Sequence, residues 1–213
     1  MSKALCCYAF ETLSNKLFMT PPSAKVSLSK YFQILNESAS SLPTSAALFI
    51  TWNQFGNLRG CIGTFHSQPI ESGVKSYSVI AALQDHRFPP IEAREINETM
   101  SVSVTLLDNF VPIDSAEGWE IGLHGLKVSF EYEGLHYSGT FLPSVAEEEK
   151  WDKVTTLYYL LKKSDYGNVK MDNVLSFYRR GIKQGWLQLT RYDGLKSSLD
   201  YDEYAAIRRS IFE

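Results

Sequence analysis

The run LRGCIGTF at residues 58–65 constrains this chain more than any other, because it sets two glycines and a cysteine inside a segment that otherwise reads as a β-strand. Glycine in a strand interior is entropically unfavourable and packs nothing, so Gly60 and Gly63 mark a place where another element or a ligand approaches the backbone. The preceding run AALFITW reads as a buried strand, and NQFGN carries turn residues between the two. A hairpin follows, with a connection expected to be somewhat longer than two residues. Alternation puts Arg59, Cys61, Gly63 and Phe65 on one face and Leu58, Gly60, Ile62 and Thr64 on the other.

The rest of the chain supplies runs of strand and groups of helix rather than regular alternation. Leu5, Phe10, Leu13, Leu17 and Phe18 recur at helical spacing until Pro21 and Pro22 end the segment near Met19. A shorter helix is expected around residues 30–37, and another from Pro69 with Ile70, Val74, Tyr77, Ile80 and Ala81 on one face. EAREINE reads as a short helix and MSVSVTLLD as a strand. WEIGLHG, LKVSFEY and LHYSGTF read as a three-stranded meander, and PSVAEEEKWDKVTTLYYLLKK as one helix beginning at Pro143 and Ser144. WLQLTRY reads as a strand and DYDEYAAIRRSIF as a final helix, acidic in its first turn and basic in its last. The fold class this implies is α+β, mainly antiparallel sheet flanked by helices, within a single domain.

Composition narrows the function classes. With 44% hydrophobic residues the 213-residue chain can bury a substantial core, and a formal charge of −3 provides no bulk field for nucleic acid. No run of roughly 18 apolar residues occurs, so no membrane span is expected. The first segment is interrupted by Glu11, Ser14, Asn15 and Lys16 and reads as an amphipathic helix rather than a leader, which leaves cytoplasm and nucleus as the expected locations. Cys6, Cys7 and Cys61 lack C-x-x-C spacing, which argues against a disulfide framework and a structural zinc site, and Cys6 and Cys7 read as packing residues. Neither a phosphate-cradling loop nor a dinucleotide fingerprint is present, so no cofactor and no metal is expected.

Taken together, LRGCIGTF (58–65), RFPP (87–90), SVSVTLL (101–107), WEIGLHGLKV (119–128), LPSVAEEEKWD (142–152) and the later LTRY and YDEY resemble the AMMECR1 family, whose hallmark is the LRGCIG hexapeptide. The resemblance runs over roughly residues 4–205. It implies one α+β domain of two subdomains, larger and smaller, with the hexapeptide near the groove between them. It supplies no activity.

Chemistry at the motif has several readings. An arginine stem spans the roughly 7 Å between same-face strand neighbours, so the Arg59 guanidinium could support a Cys61 thiolate, with His66 or His86 as the base beside Asp85. On that reading the chain is a thiol-dependent enzyme with Cys61 as nucleophile. A quieter reading makes Cys61 a small packing residue and pairs Arg59 with a buried carboxylate such as Asp85. The favoured function is a binding module in which Arg59, Gly60, Gly63, Asp85 and Arg87 accept a small anion, a peptide or a protein partner. A third alternative is an RNA-associated regulatory role through Arg179, Arg180, Lys183 and Arg191, interleaved with Tyr178, Trp186 and Tyr192, although such a pattern is more often a solvated face.

Overall fold

Seven helices and six strands carry the chain in a computed structural model that describes residues 2–213, with Pro22 described by its backbone alone. The strands are β1 (Ser45–Gln54), β2 (Asn57–Pro69), β3 (Met100–Ile113), β4 (His124–Tyr132), β5 (Leu135–Phe141) and β6 (Leu187–Asp200). They form one sheet in the order β2-β1-β3-β6-β4-β5, so β2 is an edge strand. The chain divides into two compact units. The first runs to Leu106 and resumes at Leu195–Glu213, and the second spans Leu107–Gly194.

In the first unit the core lies on one face of the sheet. Leu48, Ile50 and Trp52 of β1 and Met100, Val102, Val104 and Leu106 of β3 supply alternate residues to this core, while Ser103 and Thr105 on the other face of β3 are buried too. Helices α1 (Lys3–Leu17), α2 (Leu28–Ile34), α3 (Ile70–Leu83) and α7 (Tyr201–Arg209) belong to the same unit. Their apolar faces close this core, with Cys6 and Cys7 wholly buried among its residues. Helix α1 has the expected end, and α7 starts at Asp200, whose side chain accepts from the Glu203 N–H. The EAREINE segment is not a helix beyond a single 3₁₀ turn at Ala93–Glu95.

The β1–β2 connection is shorter than its composition suggests. Phe55 and Gly56 form a two-residue loop with φ of 51° and 75°, the pattern of a type I′ turn. Its twist matches the strands, so the turn residues at Asn53 and Asn57 join the ladder instead of lengthening the loop. Two irregularities in pairing, at Trp52/Asn53 and at Ala46/Leu48, then set which side chains face each other.

The second unit is built around Leu126, Val128, Phe130, Leu157, Leu160 and Phe177. Here β4 and β5 form a hairpin, and the other neighbour of β4 is β6 rather than WEIGLHG. The stretch turns through Leu123, and its last two residues, His124 and Gly125, open β4. Gly122 has φ of 79°, the His124 Nδ1 accepts from the Glu120 N–H, and the Trp119 ring is buried with its Nε1–H bonded to the Ala116 carbonyl. The expected long helix is two, α4 (Pro143–Glu148) and α5 (Lys153–Lys163). Lys150 takes φ of 56° between them, and Asp152 caps a fresh start by accepting from the Thr155 N–H. Helix α6 (Val174–Gln184) ends at Gly185 with φ of 78° and is an element the sequence pattern left unassigned.

Candidate functional site

Cys61 lies in the middle of β2, opposite Thr51 of β1, and Gly63 lies opposite Phe49. The Thr51 hydroxyl donates to the Cys61 sulfur at 3.2 Å, and the Phe49 and Phe65 rings meet edge to face with centroids 5.1 Å apart. The two glycines of the motif serve different neighbours. A Cβ on Gly60 would lie 2.2 Å from the Ala81 carbonyl oxygen of α3, whereas one on Gly63 would meet the Leu48 carbonyl at 2.2 Å and the Phe49 ring at 2.4 Å. Gly60 therefore allows α3 to sit directly on the strand, and the indole of Trp52, its register partner, bonds the Ser78 carbonyl of that helix.

Arg59 is turned away from the thiol and holds the segment after α3. Its Nε and Nη2 donate to the two Glu95 carboxylate oxygens at 2.8 and 3.1 Å, and its Nη1 and Nη2 to the Pro89 and Pro90 carbonyls at 2.6 and 3.3 Å. The carboxylate that pairs with Arg59 is thus Glu95, not Asp85. Glu95 also accepts from the Glu92 N–H, closing a capping box over the 3₁₀ turn. Burial would raise the Glu95 pKa, but Arg59 and the Glu92 N–H outweigh it and hold the group below its usual range.

Asp85 and Arg87 instead close the open edge of β2 at Cys61. The Asp85 Oδ2 accepts the Cys61 N–H at 2.9 Å, while the Arg87 Nη2 donates to the Cys61 carbonyl at 3.1 Å. Each is tied to the other, since the Arg87 Nε and Nη2 reach the two Asp85 oxygens at 2.9 and 2.7 Å. Two side chains thereby satisfy the backbone groups that a neighbouring strand would have paired. The local sequence explains the placement: α3 stops at Leu83, the Phe88 N–H bonds the Asp85 carbonyl to make a turn, and Pro89 and Pro90 extend the chain until Ile91 bonds back to the Ala82 carbonyl. The Arg87 side chain, against the opposing effect of burial, holds the Asp85 carboxyl well below the usual range, helped by the Cys61 and Arg87 N–H groups.

The pair is lopsided. Asp85 is buried, with its side chain 6% exposed, whereas that of Arg87 is 58% exposed. Arg87 sits over the Phe88 ring, and its Nη1 donates no hydrogen bond among the described residues. A cleft of about 560 Å³ opens on the Asp85 side of the pair, walled by Ile80, Leu83, Asp85, His86, Phe88 and Pro90, with Arg87 itself outside the lining. The guanidinium with a free donor edge at this motif belongs to Arg87 rather than to Arg59.

His86 is exposed at the cleft and makes no side-chain hydrogen bond or ion pair among the described residues. His66 lies within the span of β2, not beyond it, in the bulge between the Thr64 and Gln68 pairings, with its N–H bonded to the Thr64 hydroxyl. No hydrogen bond joins either ring to the Cys61 thiol. Among the described residues no group of three histidine, cysteine or acidic side chains is placed to hold a metal ion, and no helix is long and apolar enough to cross a membrane.

In the second unit, the basic residues near Arg179 do not sit among free rings. Tyr178 and Tyr192 are wholly buried, their hydroxyls bonded to the Leu157 and Phe141 carbonyls. Arg179 pairs with Glu117, and Arg191 donates to the Gly118 carbonyl. Thr51, Glu95 and the edge-closing geometry of Asp85 and Arg87 were not readable from spacing, because they depend on the hairpin register and on how the Pro89–Pro90 segment folds back.

Comparison with known proteins places the chain in a family. The AMMECR1 family model matches residues 6–180. An uncharacterised protein of Saccharomyces cerevisiae, YOR289W, is 38% identical over 184 residues, covering 74% of this chain and 70% of its own. A Kluyveromyces lactis protein, also named as uncharacterised, is 34% identical over 214 residues and covers 92% of this chain and 90% of its own. The crystal structure of the uncharacterised protein PH0010 from Pyrococcus horikoshii matches with a TM-score of 0.67 at 20% identity, covering 91% of this chain and 89% of that one, a likeness of fold. With the family model spanning most of its length and relatives matching along nearly all of it, the chain belongs to the AMMECR1 family.

Proposed function

We propose that this chain is a binding module that receives an anionic group, carried by a peptide or a small ligand, at the Asp85–Arg87 edge of β2. One observation carries the reading: a guanidinium fixed by a buried carboxylate and by the Cys61 carbonyl, yet more than half exposed and with one nitrogen unspent. A fixed fork loses little side-chain freedom on binding, and charge-assisted bonds to carboxylate or phosphate are the strong ones. The cleft lined by its partner Asp85 supplies apolar walls at Leu83, Phe88 and Pro90 for the remainder of the ligand, with His86 as a further polar contact. Arg59 has the role of support, since it fastens the segment that carries this surface.

The thiol-enzyme alternative lacks a base in hydrogen-bond contact with Cys61, whose sulfur meets the Thr51 hydroxyl. The RNA alternative lacks stacking faces at two of its three aromatic residues. The test is an amide chemical-shift titration with inorganic phosphate and with a short peptide bearing a free carboxylate. Saturable shifts are expected at residues 60–63 and 85–88, retained in Cys61→Ser and lost in Arg87→Gln. Shifts that stay the same in Arg87→Gln would overturn the reading.

A further inference from the structure

A second surface of the first unit, lined by α1 as well as α3 and sharing only Ile80 with the cleft beside Asp85, has the features of a docking groove. Residues of α1, α3 and the Thr20–Ser27 connection line a cavity of about 880 Å³. Its walls include the half-buried Val79 and Ile80 on α3, with Tyr8 of α1 and Val26 beside them. Val79 and Ile80 lie on the part of α3 that the core leaves uncovered, so apolar surface is open to a partner. Met19 projects at the lip, 86% exposed, and the neighbouring Phe18 is 55% exposed. Unbranched methionine adapts its shape to a partner and is favoured at such surfaces.

Charge around this floor is one-sided. Lys16, Lys25 and Lys75 all line the groove, are exposed, and make no ion pair or side-chain hydrogen bond among the described residues. The single acidic lining residue, Glu71, accepts a hydrogen bond from the Tyr8 hydroxyl. Three unspent ammonium groups around an apolar floor, on a chain whose formal charge is −3, form a local pattern opposed to the whole molecule's sign. Lysine stems also extend apolar surface while their heads stay in water, which suits a ligand with an apolar stripe and acidic flanks.

We infer that this groove docks an acidic amphipathic helix of another protein. Such a helix would lay apolar residues at i, i+3, i+4 and i+7 on Val79 and Ile80 and turn Asp or Glu toward Lys16, Lys25 and Lys75. Helices α1 and α3, of 15 and 14 residues, are long enough to flank three to four turns of it.

The experiment is selection of displayed random peptides of roughly 15 residues, a length matched to about four helical turns. Wild-type protein is the bait, and the triple variant Lys16→Glu, Lys25→Glu, Lys75→Glu is the counter-bait. All three lysines are exposed, so the variant folds, which its circular dichroism and unfolding midpoint check. Enriched peptides are expected to carry acidic flanks and helical apolar spacing and to bind wild type about tenfold or more tightly than the variant. That preference should shrink as salt rises, and amide shifts should fall on α1 and α3. Enrichment of basic or uncharged peptides, equal retention by both baits, or no enrichment would overturn the inference. So would lysine-dependent binding to phosphatidylserine vesicles, or lysine-dependent dimers in light scattering, with no such peptide selected.

Discussion

Two carboxylate–arginine pairs in the first unit use the same chemistry to opposite ends. Glu11 is 1% exposed and is surrounded: its Oε2 accepts from Tyr31, Tyr204 and the Arg208 Nε at 3.0, 2.9 and 2.8 Å, and its Oε1 from the Val26 N–H and Asn15. Arg208 then donates to the Ala24 carbonyl and lies against Phe212. The result ties α1, the connection to α2 and α7 into one knot. Asp85 is nearly as buried, but its donors are only Arg87 and the Cys61 N–H, and Arg87 is 58% exposed against 32% for Arg208, each guanidinium leaving its Nη1 without a hydrogen bond among the described residues. A pair closed by donors from α1, α2 and α7 around its carboxylate holds the fold; the pair more open to water presents its oriented guanidinium to a ligand.

The comparison breaks most visibly at its closed end. Glu11→Ala leaves two tyrosine hydroxyls and a guanidinium without their acceptor and is expected to lower stability by about 3–5 kcal/mol, read from urea unfolding. A loss under about 1 kcal/mol would mean that the knot is not structural. Gly60→Val drives a branched side chain into the Ala81 carbonyl at the strand–helix contact and should cost about 2–3 kcal/mol, again by urea unfolding. Asp85→Asn keeps the shape but weakens three bonds from Arg87 and one from Cys61, for a loss of about 2 kcal/mol, together with faster hydrogen exchange at the Cys61 amide.

Acid sharpens the same contrast. Burial would raise the Glu11 pKa, but the bonds from Arg208, Val26 and Tyr204 outweigh it, so both Glu11 and Asp85 titrate below their unfolded values of 4.5 and 3.8. A depressed folded pKa contributes stability that is fully present above the unfolded value and disappears as the pH falls through the folded one. Stability should therefore drop as the pH is lowered from about 4.5, and Glu11→Gln should flatten the upper part of that drop. Smallest in energy is Arg87→Gln, expected to cost about 1–2 kcal/mol, because it takes two bonds from the buried Asp85 carboxylate although the guanidinium itself is largely in water.

What the sequence made legible follows from how local each cause is. Helix α1 and α3, β1 and β3 each carry their periodicity within one segment, and the Asp200 cap of α7 sits beside the residues it serves. Helix α6 is weakly signalled although Gly185 stops it, because Gly181 interrupts its helical pattern; that glycine is needed where Leu187 and Trp186 press on the helix. The split between α4 and α5 was hidden by continuous helix-forming residues, with Asp152 as the unread signal. At the site, Cys61, Asp85 and Arg87 were all recognisable as residues, but their wiring was not. Alternation brings Arg59 near Cys61 on paper, while the choice among Asp85, Glu95 and solvent is made by a segment folding back from Pro89 to Glu95. In sequence Glu11 is only a polar interruption of a helix, since its five donors come from as far away as Arg208.

The most direct test is the shift in urea midpoint produced by saturating phosphate, measured on wild type, Arg87→Gln and Arg208→Gln, since a ligand that binds only the folded state stabilises it. An open pair that binds and a closed pair that holds predict a dissociation. Arg208→Gln should lower the starting midpoint yet keep the phosphate increment, and Arg87→Gln should lower the starting midpoint less and lose the increment. A full increment in Arg87→Gln would contradict the assignment of the Asp85–Arg87 edge as the binding surface.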